Sequence, residues 1–414
     1  MVGSAAGCRV VITGAGVVTS IGAGVPEFWS SLAEGQCGIG PVEGLALEPG
    51  DIQIAAQIKD FDERARLRGW KRDKTILHSD RYSWLAAAAA DEAIAQSQLE
   101  TPFADPYRVV SIIGSAAGGQ TSGEKGCRDR FADNKPAVHP MFLPRMIGSS
   151  ASAHIGIEYG VKGPTFGTCS AGASAAHAIA LGTDYIRHGL IDIAIVGGSD
   201  SSVTLGAILA GQSLKLLSPD GCFPFSRNRN GTVLAEAAGV LILESEDHAK
   251  ARGAAPLGEV LGFAMTAGGM HLSEPSLEAM CEAMQRAIND AKLDPADIDW
   301  INAHGTATRT NDRCETRAIT QAFGKHAATL PVSATKSMHG NALGASPAIE
   351  AIACIEAIRA GWLPPTIGLS EPDPECDLDY VANIGRPMSP SFVMSNSFGL
   401  GGLYAAIVFG PPPA

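Results

Sequence analysis

The chain is short of charge and of aromatic rings: charged residues make up 18% of its 414 residues and aromatics 6%. With 45% hydrophobic residues, that balance excludes a disordered chain and requires a large buried core. No stretch of about 18 consecutive apolar residues exists, so no membrane-spanning segment is read. Basic residues are in the minority, 31 against 43 acidic, and the net charge of −12 excludes coating nucleic acid or an anionic membrane through net charge. The nine cysteines are scattered, odd in number and lack a CxxC pair. They read as reduced thiols in a cytoplasmic setting, not as a disulfide framework or a zinc site. The opening MVGSAAGCRVVITGAG has no basic start before an apolar block, so no leader is read there. No metal and no cofactor is implied.

What the chain has in excess is glycine, 48 of 414 against about 7% on average, which points to tight strand-to-helix turns and close backbone approaches. Short apolar runs predict strands over Arg9–Thr13, Arg108–Gly114, Ile191–Gly197, Gly239–Glu244, Asp299–Ala303, Pro331–Ala334, Phe392–Ser395 and Ala405–Phe409. Helical spacing predicts helices over Arg81–Ser97, Ala171–His188, Leu277–Ala291 and Pro347–Ala360. The alternation argues for α/β layers. Pro164–Ala178 and Val393–Gly402 each read as a strand ending in a small-residue turn that opens a helix. That pairing predicts two similar halves, 1–250 and 251–414.

Three stretches carry chemistry. Phe166-Gly-Thr-Cys169-Ser-Ala-Gly-Ala-Ser-Ala reads as a strand, a sharp turn and a helix of small residues. A thiol there faces unpaired amides and the positive end of a helix dipole. Asn302-Ala-His304-Gly-Thr places a histidine just past a buried strand, where α/β sheets present catalytic side chains. Lys336-Ser-Met-His339-Gly-Asn341 puts a cation and polar side chains on a glycine-rich turn before the Pro347 helix. Cys169, His304 and Asn341 also follow the order of a papain-like cysteine protease, with the histidine 135 residues after the cysteine. The context excludes that reading: the cysteine is far from the N-terminus and no aromatic follows it. Thr13-Gly-Ala-Gly16 imitates a nucleotide-binding start but lacks the third glycine.

Taken together, these motifs resemble the β-ketoacyl-acyl-carrier-protein synthases of the type I/II elongating class. The resemblance runs nearly end to end, through VVITGAGVVTSIG, GTCSAG, PFSRNRNG, AEAAGVLILE, NAHGTATRTND, ATKSMHGNALGASPAIEA, CDLDYV and SNSFGLGG. It implies a thiolase-like fold of two duplicated α/β halves stacked as αβαβα, usually dimeric. It implies Cys169 as the nucleophile that takes an acyl chain from a carrier protein. The amides of Cys169 and Leu400 would form an oxyanion hole, and His304 would assist malonyl decarboxylation. Lys336 and Glu350 would order the site, as would Glu315. Phe398 and Leu400 would gate the substrate. His339 sits two residues from the expected position and should point elsewhere.

The departures from the family pattern are specific. Asn341 stands where elongating synthases carry a second histidine, Leu400 where they carry a gating phenylalanine, and Leu403-Tyr404 where they carry Thr-Asn. Ser226 replaces an aspartate, and AEAAG replaces GEGAG. A reshaped acyl pocket follows, suited to a specialised polyketide, polyene or unusual fatty-acid pathway. Rival readings are an initiating synthase, a malonyl decarboxylase, or a subunit of a ketosynthase and chain-length-factor pair. A non-catalytic chain-length partner is disfavoured by Cys169, and a thiolase proper by the lack of a second cysteine near Asn396. Arg64, Arg66, Arg68, Lys71, Arg72 and Lys74 cluster within eleven residues and are expected to dock the acidic carrier.

Overall fold

Apolar runs buried almost end to end build the centre of the molecule. The computed structural model describes residues 8–59 and 61–413. Its principal strands are β1 (Val10–Thr19), β2 (Val109–Gly114), β3 (Thr165–Thr168), β4 (Ile193–Ser201), β5 (Glu236–Ser245), β6 (Gly258–Ala267), β7 (Trp300–Asn302), β8 (Val332–Ser333), β9 (Val393–Gly399) and β10 (Leu403–Gly410). They join in one mixed sheet ordered β8-β7-β9-β10-β6-β1-β5-β4-β2-β3. Outward from the β1–β6 contact, both sides run first, fifth, fourth, second, third strand of their half. In each, the inner pairs are antiparallel and the outer pairs parallel. Among the described residues the two sides pair through Val11 opposite Glu259 and Ile12 opposite Gly258 alone.

Helix α1 (Arg81–Ser97) covers β1, β5 and β4 from outside, and α3 (Leu277–Asp290) covers β6 and β10, with α4 (Arg309–Phe323) beside it. Between the two halves of the sheet run α2 (Ser174–Arg187), against β4 and β2, and α5 (Ser346–Ala360), against β5 and β9; these two helices touch each other. This is the five-layer αβαβα arrangement of a thiolase-like fold.

Glycine permits the close packing. A Cβ at Gly16 would lie 2.0 Å from the carbonyl oxygen of Ala89, so the Thr13–Gly16 stretch seats α1 on β1 instead of turning around a nucleotide. A Cβ at Gly198 would lie 2.6 Å from that of Ala175, which brings α2 onto β4. Helix α2 starts at Ser174, after a 3-10 turn over Ala171–Ala173. No helix of the described residues is long and apolar enough to cross a membrane.

Two expectations are corrected. The turn after Val393–Gly399 opens a hairpin into β10, not a helix. By strand order it is therefore the counterpart of β4, and the true counterpart of the Cys169 turn is the segment from β8 into α5. Strand β6 was not anticipated, because its ten residues mix glycine, glutamate and threonine with the apolar ones.

Candidate active site

Strand β3 delivers Cys169 into a sharp turn in which Ala171 adopts a left-handed φ of 47°. The thiol is exposed and donates to the carbonyl of Ala116 at 3.7 Å. Across the cleft, β7 delivers His304. The backbone amides of His304 and Gly305 donate to Glu315 on α4 at 2.8 and 2.9 Å, which fixes the loop that carries the imidazole. Burial pushes the Glu315 carboxyl up to about 7, against the pull of those amides.

Lys336 is fully buried and not a surface side chain. Its Nζ lies 2.5 Å from Glu350 Oε1 on α5 and 3.5 Å from His304 Nδ1. Burial drives His304 well below the usual imidazole range, and the charge of Lys336 adds to this. The ring is therefore neutral at physiological pH. An ammonium group only donates, so Nδ1 faces Lys336 as an acceptor and Nε2 carries the proton. Burial likewise pushes Glu350 up to about 7, opposed by Lys336.

Asn341 is buried on the turn before α5. Its Oδ1 accepts from the Leu343 amide at 3.0 Å and the Ser346 hydroxyl at 3.4 Å. A backbone amide can only donate, so the side chain's orientation is set and Nδ2 is left as its free donor. His339 turns away as expected: its ring bonds Gly340 O and Thr335 Oγ1 and packs against Phe28.

The hairpin between β9 and β10 closes the cleft. Phe398 meets His304 edge to face, with ring centroids 6.1 Å apart, and meets Tyr404 at 5.3 Å. Leu400 is 50% exposed at the tip, where Gly401 and Gly402 take φ values of 84° and 70°. A Cβ at Gly172 would lie 3.3 Å from His304 Cε1 and 3.5 Å from Gly399 Cα, so the Cys169 turn, the histidine loop and the hairpin converge at one glycine. The amides of Cys169 and Leu400 donate to no backbone acceptor among the described residues.

The six basic residues are not part of this cleft. They lie exposed on a surface segment, Arg64 and Arg66 in the short helix Glu63–Arg66, held by Trp70 Nε1 on Asp91 at 2.8 Å. Glu158 accepts the amides of Lys71, Arg72 and Asp73 at 2.8–2.9 Å. The sequence reading has no place for Asp200, a fully buried carboxylate at the end of β4. The signal for it was a Gly-Gly-Ser-Asp run closing a buried strand.

An exposed cysteine on a strand-to-helix turn, a neutral histidine and a glycine hairpin with free amides meet at the seam of a duplicated thiolase-like sheet, the frame of an acyl-transferring condensing enzyme. Comparison with known proteins agrees. Residues 8–249 match the model of the beta-ketoacyl synthase N-terminal domain, and residues 257–370 match that of its C-terminal domain. The chain is 39% identical to Nodulation protein E of Rhizobium sp. (strain N33) over 97% of this chain and 98% of that one. It is 35% identical to 3-oxoacyl-[acyl-carrier-protein] synthase 2 of Staphylococcus aureus (strain COL), again over 97% and 98%. The structure titled "The ishigamide ketosynthase/chain length factor" superposes with a TM-score of 0.93 at 32% identity, covering 98% of this chain and 100% of that one. The chain belongs to the beta-ketoacyl synthase family. It is an acyltransferase, a condensing enzyme of the fatty-acid and polyketide type.

Proposed function

We propose that the chain condenses malonyl-carrier with an acyl primer held as a thioester on Cys169, within a specialised acyl pathway. The Cys169 sulfur attacks the primer's thioester carbonyl, and the carrier's phosphopantetheine thiol leaves. Malonyl-carrier then enters and loses CO2. The resulting enolate carbon attacks the acyl-Cys169 carbonyl, the carbon–sulfur bond to Cys169 breaks, and 3-ketoacyl-carrier is released. The free amides of Cys169 and Leu400 hold the oxyanion of both tetrahedral intermediates. The Nε2–H of His304 and the Nδ2–H of Asn341 donate to the malonyl thioester oxygen as it becomes an enolate. Lys336, held by Glu350, keeps His304 in the tautomer that can donate, and Glu315 holds its loop. Phe398 and Leu400 gate the entrance.

One observation carries this reading: the nucleophile turn, the histidine and the amide-bearing hairpin converge at Gly172. Three supporting features extend it. The mirrored strand order supports a division into halves 1–250 and 251–414. Strand β3 ends the sheet with Thr165 exposed, and an open edge of this kind suits pairing with a second subunit, either another copy of the chain or a chain-length-factor-like partner. The exposed cluster Arg64 to Lys74 suits an acidic acyl carrier protein, in a cytoplasmic setting.

Intact-mass spectrometry tests the chemistry. Incubation with a panel of acyl-carriers should add one acyl group, lost in Cys169→Ala, and malonyl-carrier should then discharge it as a 3-ketoacyl-carrier longer by one malonyl-derived unit. A Cys169 that stays unmodified by every primer, alone and with a chain-length-factor-like subunit, overturns the assignment.

A further inference from the structure

The buried carboxylate of Asp200 sits between two walls of the site, accepting hydrogen bonds from one and packed against the other. From one wall come the Ser115 hydroxyl at 2.6 Å, the Ala116 amide at 2.9 Å and the Ala117 amide at 3.3 Å. Against the other it packs closely: a Cβ on Gly344 would lie 2.9 Å from Asp200 Oδ2 and 2.6 Å from the Ala116 amide nitrogen. The first wall is the turn whose Ala116 carbonyl accepts the Cys169 thiol. The second is the turn that fixes Asn341, whose Oδ1 accepts the Leu343 amide. Ser115 is itself a link, since its amide donates to Thr168 O and its Oγ accepts the Gly118 amide at 2.8 Å.

No salt bridge reaches Asp200 among the described residues; the Ser115 hydroxyl and the Ala116 and Ala117 amides stand alone against its full burial. A carboxylate buried without a counter-ion is costly unless its donors are held in place. Such a cost is commonest where geometry serves function. Here the donors belong to the turn that supports Cys169, and the turn that carries Asn341, from the other half of the chain, packs against the same carboxylate.

We propose that Asp200 is a positioning residue that keys the Cys169 turn to the Asn341 turn, so that the enolate-holding amide is set at a fixed place relative to the acyl-sulfur carbon. The inference rests on the role given to Asn341 above. It predicts that Asp200 acts on condensation through geometry, not on the binding of malonyl-carrier. Near-attack geometry tolerates displacements of well under 1 Å, so losing a cross-link of this kind costs about 10- to 100-fold in rate.

The test is single-turnover kinetics on enzyme already acylated at Cys169. For Asp200→Asn, the condensation rate at saturating malonyl-carrier should fall at least 10-fold while KM for malonyl-carrier stays within twofold. In the Asn341→Ala background the same substitution should cost less than threefold, because the group being positioned is gone. Asp200→Glu, which keeps the acceptor, should recover part of the rate. Ser115→Ala removes only one donor and serves if Asp200→Asn does not fold; it should lose severalfold with the same split. Equal effects in both backgrounds, or a loss confined to KM, overturn the proposal. If Asn341→Ala alone leaves condensation unchanged, the role of Asn341 fails instead. Asp200 is then judged on the rate of Cys169 alkylation by iodoacetamide, where an unchanged rate in Asp200→Asn removes it from the nucleophile's support as well.

Discussion

An amide at position 341 does one of the two things an imidazole can do: it donates a hydrogen bond, and it never titrates. Its Oδ1 is occupied by the turn that carries it, so Nδ2 is the end available to a substrate oxygen. Asn341→Ala should therefore lower condensation by about 10²- to 10³-fold, the scale for losing one donor to a developing oxyanion. Acylation of Cys169, followed by intact mass, should change only severalfold; equal losses in both steps would remove the assignment. Glu315 carries a prediction about pH. Burial raises its carboxyl from 4.5 to about 7, so between those values the folded state holds a proton that the unfolded state has released. Its contribution to stability therefore falls as pH rises through that window and is constant above it. In calorimetry, the Tm of Glu315→Gln minus that of wild type should climb from about pH 4.5 to 7 and then level off. A difference independent of pH contradicts the assignment.

At the scale of elements, the packing of helices on the sheet depends on the absence of side chains beneath them. At Gly16 a Cβ would lie 2.0 Å from the carbonyl oxygen of Ala89 and 2.9 Å from the amide nitrogen of Ala93, both backbone atoms of α1. Backbone cannot swing aside as a side chain does, so Gly16→Val should cost more than the ~1–3 kcal/mol of ordinary overpacking. Thermal unfolding should show a fall of about 2 °C or more, whereas Gly50→Ala, with open space around it, should stay within about 1 °C. The legibility of the elements follows from the same physics. Helix α1 was readable to its ends and β2 to within one residue, because their runs are apolar and bounded by turn residues, whereas β5 begins at Glu236, three residues before its expected start at Gly239. Helix α4 was not read, because its buried face holds Asp312, Glu315 and Thr316 beside its apolar residues and so lacks a clean apolar stripe. Cys169, His304, Lys336 and Asn341 stood out through motifs. Their mutual arrangement did not, since it depends on which strands the sheet places side by side. Asp200 stayed hidden because its meaning lies in a donor 85 residues before it and a packing contact 144 residues after it.

Across the whole molecule, a net charge of −12 coexists with six exposed cations on one pinned segment. Attraction through such a patch is screened over about 8 Å at physiological salt. KM for carrier-borne substrates should therefore rise with ionic strength. Replacing Arg64, Arg66 and Lys71 with glutamate should raise KM about tenfold at low salt and flatten that dependence. Steady-state kinetics across a salt series checks this, and a KM indifferent to both salt and charge reversal would place the carrier elsewhere. The hairpin tip bears on the molecule's history as well as its kinetics. At Leu400 the group assigned to the chemistry is the main-chain amide, while half of the residue's surface faces solvent. Any residue but proline at that position supplies the same amide. Substitutions there can redraw the range of accepted chains with little penalty in folding, so a lineage can drift from one product to another by changing a side chain that supports nothing else.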